Sequence, residues 1–283
     1  MDTLKIGGST RLLGVIGHPV AHSLSPRMHN AAFAADGVDY AYTAMDVHPD
    51  QLPEAVRGLV ALGFAGFNVT MPHKESILPL LDERNEPARL SGAVNTVLVR
   101  DGELYGMNTD GSGLVEACLE SGVEFAGKKV LLLGAGGAAA AVVVAVLGEA
   151  VRSLVVVNRT LRKAETLLEK VSDVGAGVEM GVAPLERVAQ EVAEADVIVN
   201  TTYLGMKGYD QAPVPFEELG PEKVVCDAVY LRGADTGLIR RARKAGAKVV
   251  PGELMLLYQG VQAQRAWIGR EPNVEVMRHA LIQ

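Results

Sequence analysis

Two short segments carry residues that could do chemistry together: Asn68-Val69-Thr70-Met71-Pro72-His73-Lys74 and Asn108-Thr109-Asp110. The first reads as a buried apolar strand running into a turn that delivers a lysine. The second delivers a carboxylate just ahead of a glycine-rich half of the chain. A lysine and a carboxylate beside a nicotinamide suit carbonyl reduction. The ammonium gives a proton to the developing alkoxide, and the carboxylate orients a hydroxyl or the lysine itself. Most lysine and aspartate pairs in a sequence are unrelated surface charges, so the surrounding elements must carry the argument.

The glycine-rich segment is Gly134-Ala135-Gly136-Gly137-Ala138-Ala139, which fits G-x-G-x-x-[G/A]. It follows the apolar strand Val130-Leu131-Leu132-Leu133 and opens a helix, the context that a dinucleotide site requires. Gly134 permits the tight turn, and Gly136 lets the backbone approach a pyrophosphate lying on the helix N-terminus. The next strand ends in Val157-Asn158-Arg159-Thr160, followed by Leu161, Arg162 and Lys163. NAD enzymes place an acid there for the ribose hydroxyls; an arginine with a threonine instead suits a 2′-phosphate. The favoured cofactor is therefore NADP(H).

A third candidate, His18-Pro19-Val20-Ala21-His22-Ser23-Leu24-Ser25-Pro26, precedes a helix. If the segment is extended, Ser23 and Ser25 point the same way and could bind a carboxylate. Ser25 also reads as the N-cap of the helix, with Pro26 at its first position. His18 and His22 lack a third ligand nearby, so no metal is expected.

These sites need two frames. The first third alternates strand-like and helix-like segments: strands over Arg11–Gly17, Tyr40–Val47 and Gly66–Thr70, and helices over Pro26–Asp36, Gln51–Leu62 and His73–Leu81. Val94–Arg100 and Glu103–Met107 form a hairpin across Asp101-Gly102. Ser112–Ser121 is a helix. From Lys129 strand and helix repeat regularly, and the strands lack polar alternation, which argues a doubly wound parallel sheet. Glu253–Trp267 and Val274–Ile282 close the chain as helices able to pack back on the first domain. The expected fold is α/β, with an N-terminal α/β substrate domain on a mixed sheet (1–109 with 253–283) and a C-terminal doubly wound parallel Rossmann domain (110–252).

The 283 residues carry 48% hydrophobic residues and a net charge of −7. That balance suits a globular enzyme and disfavours a nucleic-acid surface. The uncharged stretch Val130–Gly148 is nearly long enough for a membrane, but its glycine block makes it a strand, turn and helix. Met1–Thr10 has no apolar core of a signal peptide. Cys118 and Cys226, far apart in sequence, read as buried free thiols of a cytoplasmic protein.

The chain resembles the shikimate dehydrogenase family over nearly its full length. The resemblance rests on His22–Asn30, Asn68–Lys74, Gly92–Thr96, Gly106–Gly111, the Gly134 loop, Asn158–Ala164, Asn200-Thr201-Thr202 with Gly205-Met206, Asp227–Tyr230 and Gly252–Gln259. It implies NADPH-dependent reduction of 3-dehydroshikimate to shikimate in chorismate and aromatic amino-acid synthesis. By position, Lys74 and Asp110 would be the catalytic pair, facing the cleft where the nicotinamide enters. Ser23 and Ser25 would take the substrate carboxylate, while Thr70, Asn95, Tyr230 and Gln259, with Asp110, would contact carboxylate or ring hydroxyls. Gly134, Ala135, Gly136, Gly137, Ala138, Asn158, Arg159, Thr160 and Arg162 would hold NADP, Ala228 and Gly252 would lie near the nicotinamide, and Glu86 at a peripheral cofactor position. Two departures stand out: Tyr203 where serine is usual, and Leu231–Thr236 after Tyr230. Alternatives are a quinate/shikimate dehydrogenase using NAD, a non-catalytic NADP-binding regulator, which would be expected to lack Lys74 or Asp110, and a folate-linked relative, which would lack the serine pair. Oligomeric state, monomer or homodimer, is left open.

Overall fold

In the computed structural model, which describes residues 5–206 and 218–282, the chain divides into two compact units. One comprises residues 1–109 with 259–283, the other residues 110–258.

The first unit is built on β1 (Arg11–Gly17), α1 (Ser25–Asp36), β2 (Tyr40–Asp46), α2 (Leu52–Ala61), β3 (Gly66–Val69), α3 (His73–Ser76), β4 (Glu83–Arg84), α4 (Glu86–Ser91), β5 (Thr96–Arg100) and β6 (Glu103–Met107). Its sheet runs β2-β1-β3-β5-β6-β4. β1 is parallel to β2 and β3, whereas β5 is antiparallel to β3 and β6, so the sheet is mixed. The hairpin turn uses Asp101 at φ 52° and Gly102 at φ 86°, the two positive dihedrals of a type I′ turn. Side chains alternate between faces: Ile16, Phe67, Val69 and Val97 join one cluster, and Leu13, Val15 and Leu98 the other.

The helix expected over 73–81 is shorter. α3 stops at Ser76 and a 3₁₀ turn, Leu78–Leu80, follows. Pro79 lacks the N–H that a continuing helix would use. The sequence reading placed nothing over Glu83–Ser91, where β4 and α4 lie; two residues of strand and six of helix are too short to show a period.

The second unit holds α5 (Asp110–Glu120), β7 (Lys129–Leu133), α6 (Gly137–Leu147), β8 (Ser153–Val157), α7 (Leu161–Lys170), β9 (Glu179–Ala183), α8 (Val188–Glu194), β10 (Val197–Asn200), β11 (Val224–Asp227), α9 (Gly237–Lys244) and β12 (Lys248–Val250). The strands are all parallel in the order β12-β11-β10-β7-β8-β9, a Rossmann sheet with its switch point between β7 and β10. Both faces are covered: Val130 and Leu132 enter one core, Leu131 and Leu133 the other. That double burial is why these strands read as unbroken apolar runs. Cys118 on α5 and Cys226 on β11 are fully buried and free, with their sulfurs 3.6 Å apart. The Cys118 thiol and then burial push Cys226 well up, which keeps it a thiol.

The chain closes with α10 (Gly252–Ile268) and α11 (Val274–Ile282). The return between units falls inside α10, not ahead of it as the sequence suggested. Leu254, Met255 and Tyr258 pack in the core of the second unit, while Ala263 and Trp267 pack in that of the first. No helix among the described residues is long and apolar enough to cross a membrane; Val130–Gly148 is the strand β7, a turn and α6.

Candidate active site

The first unit gathers several of the expected residues around the ends of β1, β3 and β5. Ser25 is not the N-cap. Leu24 already has helical dihedrals (φ −88°, ψ −7°), so Ser25 is the first residue of α1. The alternation argument for the serine pair fails for the same reason, because Leu24 is not extended. Instead Ser23 Oγ accepts a hydrogen bond from Ser25 N at 3.3 Å. Ser25 is 6% exposed, and among the described residues its hydroxyl has no partner. A nearly buried hydroxyl released from capping beside a helix N-terminus is a ready donor to an anion.

Thr70 follows β3, and its backbone N–H donates to Ile16 O at 2.9 Å. It lies directly over Gly17, where a Cβ would collide with its methyl group. Lys74 sits in the single turn of α3, held from three sides. Its carbonyl accepts from Val94 N at 2.8 Å, and His73 N donates to Thr70 O at 2.9 Å. The buried His73 ring also bonds Val47 O through Nε2 at 2.7 Å, so that nitrogen carries the proton.

Asn95 is only 3% exposed, and its amide is largely spent inside the protein. Its Oδ1 accepts from Thr109 N at 2.9 Å, and its Nδ2 donates to Thr109 Oγ1 at 2.9 Å and to Gln259 Oε1 at 3.4 Å. Thr109 Oγ1 in turn donates to Gln259 O at 3.1 Å. Tyr42 and Asn68 extend this network: Tyr42 Oη donates to Asn68 Oδ1 at 2.6 Å, and Asn68 Nδ2 to Asn95 O at 2.9 Å. Asn95 and Gln259 were expected as substrate contacts; the structure also makes them the clamp on Thr109, the residue before Asp110. Tyr42 and Thr109 were missed, and nothing local in the sequence pairs residues so far apart. Glu86 lies in this unit too, exposed in the first turn of α4 behind the Asn85 cap.

In the second unit Asp110 is the first residue of α5 and 5% exposed. A carboxylate there is favoured by the helix dipole. The next residue, Gly111, lies against α6, with no room for a side chain.

The nucleotide loop follows β7. Gly134 has φ +109°, a conformation open to glycine, and a Cβ would stand 2.8 Å from Thr201 Oγ1. Gly136 is the N-cap of α6 and has open space where a Cβ would be. No side chain caps this helix, so the N–H groups of Gly137, Ala138 and Ala139 remain for a ligand. At the end of β8, Asn158 Nδ2 donates to Thr160 O at 2.8 Å and shapes the turn. Arg159 is exposed and makes no ion pair among the described residues; no acid stands beside it. Arg162, expected in the same group, is exposed and also pairs along α7 with Glu165 at 3.5 Å and Glu169 at 3.4 Å. A bare helix N-terminus, an open glycine and an unpaired arginine fit the pyrophosphate and 2′-phosphate of NADP. Ala228 N donates to Asn200 O at 2.8 Å, and Gly252 opens α10 against the backbone of Val229. Tyr230 follows, half-buried.

A mixed-sheet unit bearing hydroxyls and a lysine, with a Rossmann unit bearing an open glycine loop, defines a two-domain dinucleotide-dependent oxidoreductase. Three family models match: "Shikimate dehydrogenase substrate binding domain" over residues 15–97, "Shikimate / quinate 5-dehydrogenase" over 116–206, and "Shikimate 5'-dehydrogenase C-terminal domain" over 252–282. A protein of Rubrobacter xylanophilus named "Shikimate dehydrogenase (NADP(+))" is 56% identical over 282 residues, 99% of each chain. Among solved structures, shikimate 5-dehydrogenase from Thermus thermophilus in complex with NADP(H) and shikimate superposes with a TM-score of 0.85 at 37% identity, covering 96% of this chain and 98% of that one. Quinate dehydrogenase from Corynebacterium glutamicum in complex with NAD gives 0.88 at 32% identity, over 96% and 98%. The chain belongs to the shikimate dehydrogenase family.

Proposed function

We propose that the protein catalyses the reversible NADPH-dependent reduction of 3-dehydroshikimate to shikimate, a step of chorismate and aromatic amino-acid synthesis in the cytoplasm. The observation that carries this reading is the full-length similarity to NADP(+)-named shikimate dehydrogenases. Two features of the chain support it: the acid-free end of β8 with the unpaired Arg159, and the open Gly136 at the start of α6.

When bound, NADPH supplies the hydride that the ketone carbon receives. Ser23 and Ser25 hold the substrate carboxylate by hydroxyl hydrogen bonds, without a cation. Thr70, Tyr230 and Gln259 orient the ring hydroxyls, and Asn95 contributes chiefly by holding Thr109. The Lys74 ammonium passes a proton to the carbonyl oxygen as the C–O bond becomes single. Asp110 accepts a hydrogen bond from a substrate hydroxyl and keeps the ring from rotating. Positioning and charge stabilisation carry most of the rate. Gly136 to Ala138 take the pyrophosphate, and Arg159 with Thr160 takes the 2′-phosphate.

The test follows absorbance at the reduced-nicotinamide band with shikimate, with quinate and with no substrate, each with NADP+ and with NAD+. Rapid reduction of NADP+ by shikimate is expected. A preference for NAD+, or for quinate, would overturn the assignment.

A further inference from the structure

Asp227 ends β11 and is 1% exposed, and no cation meets it among the described residues. Its partners are three neutral donors. Oδ1 accepts from Asn200 Nδ2 at 2.8 Å and from Val229 N at 3.0 Å; Oδ2 accepts from Thr236 Oγ1 at 2.6 Å. Each donor belongs to a different piece of the carboxyl-terminal edge of the second sheet. Asn200 ends β10 and is the register partner of Asp227. It also organises its own loop: Oδ1 accepts from Thr202 N at 3.0 Å and Thr202 Oγ1 at 2.7 Å, and Nδ2 donates to Leu204 O at 3.3 Å. Thr236 is the N-cap of α9, accepting from Ile239 N at 3.2 Å. Val229 lies in the loop that leads to Tyr230. The third loop arrives from β12: a Cβ on Gly252 would stand 2.6 Å from the Val229 carbonyl carbon and 2.9 Å from Asp227 O.

A buried carboxylate without a cation is expensive to desolvate, and burial here pushes its pKa up against the pull of its three donors. For stability alone an apolar side chain would serve β11 as well. What a carboxylate adds is acceptor capacity on two oxygens, with no donor of its own, where three donors converge. An asparagine could keep the Oδ1 bonds but would turn an N–H₂ toward the Thr236 hydroxyl, which already receives Ile239 N.

We propose that Asp227 is a positioning residue that ties the loops after β10 and β11 to α9 and so sets the place of Ala228, Val229 and Tyr230 at the nicotinamide end of the cofactor. The proposal rests on the NADP-dependent reading above. At the carboxyl edge of a Rossmann sheet, loop position decides where the ligand lies, and an error of about 1 Å in a reacting pair costs on the order of a hundredfold in rate.

The experiment compares wild type, Asp227→Asn, Thr236→Val and Thr236→Ser. Calorimetric titration measures binding of NADP+ and of adenosine 2′,5′-bisphosphate, which carries the phosphates for the Arg159 end but has no nicotinamide. Steady-state kinetics with shikimate give kcat and KM. Asp227→Asn should weaken NADP+ by about tenfold, the loss of one well-made contact. Affinity for the bisphosphate should stay at the wild-type value, and kcat should fall by about tenfold to a hundredfold. Thr236→Ser, which keeps the hydroxyl, should match wild type, and Thr236→Val should follow Asp227→Asn in direction. Unchanged NADP+ affinity in both Asp227→Asn and Thr236→Val, or equal weakening of both ligands, would overturn the positioning role. Failure of NADP+ to bind wild type would instead overturn the functional reading.

Discussion

Gly111→Ala puts the link between α5 and α6 to a direct test. Gly111 is the second residue of α5, and a Cβ there would stand 2.8 Å from both the Ala145 methyl and the Ala141 carbonyl carbon, with the Ala141 oxygen closer still. Carbon atoms pack at about 3.5–4.0 Å. The obstacle is helix backbone, which cannot swing aside, so α5 must retreat from α6 by about 1 Å. Overpacking of this size costs about 1–3 kcal/mol, and in a chain of this length that lowers the melting temperature by several degrees. Asp110 is the preceding residue and the first of the same helix, so it moves too. If Asp110 orients the substrate as proposed, its displacement by about 1 Å should lower kcat by on the order of a hundredfold. Gly136 and Arg159 are not on α5, so KM for NADP+ should hold near wild type. Scanning calorimetry and steady-state kinetics on one preparation decide the matter. Wild-type stability and kcat together would refute the close seating. A lowered melting temperature with wild-type kcat would refute the link from α5 to catalysis.

Gly136→Ala is the opposite case. Its dihedrals (φ −97°, ψ −172°) admit alanine and its Cβ meets nothing, so melting should not change, while the new methyl fills the space proposed for the pyrophosphate. Affinity for NADP+ should fall at least tenfold in a titration; equal affinity would remove the loop from the cofactor site. Lys74→Ala should lower kcat by about a hundredfold to ten-thousandfold while KM for shikimate moves little, and a kcat near wild type would end the proton-donor role. His29 is fully buried, bonded to Gln264 at 2.9 Å, and desolvation lowers its pKa from 6.5 to about 4. Between those values the unfolded chain binds the extra proton, so the contribution is complete above pH 6.5 and is lost as pH falls toward 4. The gap is worth roughly 3 kcal/mol. Denaturant midpoints measured across that range should fall with acid in wild type and less steeply in His29→Phe; parallel slopes would refute the assignment.

Local rules carried the sequence reading a long way. The order of strands and helices, the hairpin at Asp101-Gly102 and the loop from Gly134 depend on side-chain period and turn chemistry, which neighbours in the chain determine. The cofactor preference was legible for the same reason, since Asn158-Arg159-Thr160 sits at one strand end. Local rules also misled. Ser25 has the composition of an N-cap, yet Leu24 turns early and takes that position, so the Ser25 hydroxyl does not cap the helix. Arg162 has the right position in sequence, and the structure adds exposed ion pairs to Glu165 and Glu169, one and two turns on along α7.

What the chain order could not contain was which distant residues would share a buried space. Asn95 meets Gln259 across 164 positions, and Cys118 meets Cys226 across 108. The demand that Gly111 be glycine comes from the backbone of α6, and the demand that residue 227 accept three hydrogen bonds comes from β10, α9 and its own loop. Sequence alone supplied the candidate groups and the elements that bear them, because propensity and periodicity act over a turn or a strand. Tertiary structure decided which hydroxyls stay open, which amides are spent on the protein and which buried carboxylate gathers donors from several segments, because those depend on desolvation and close packing between segments that only folding brings together.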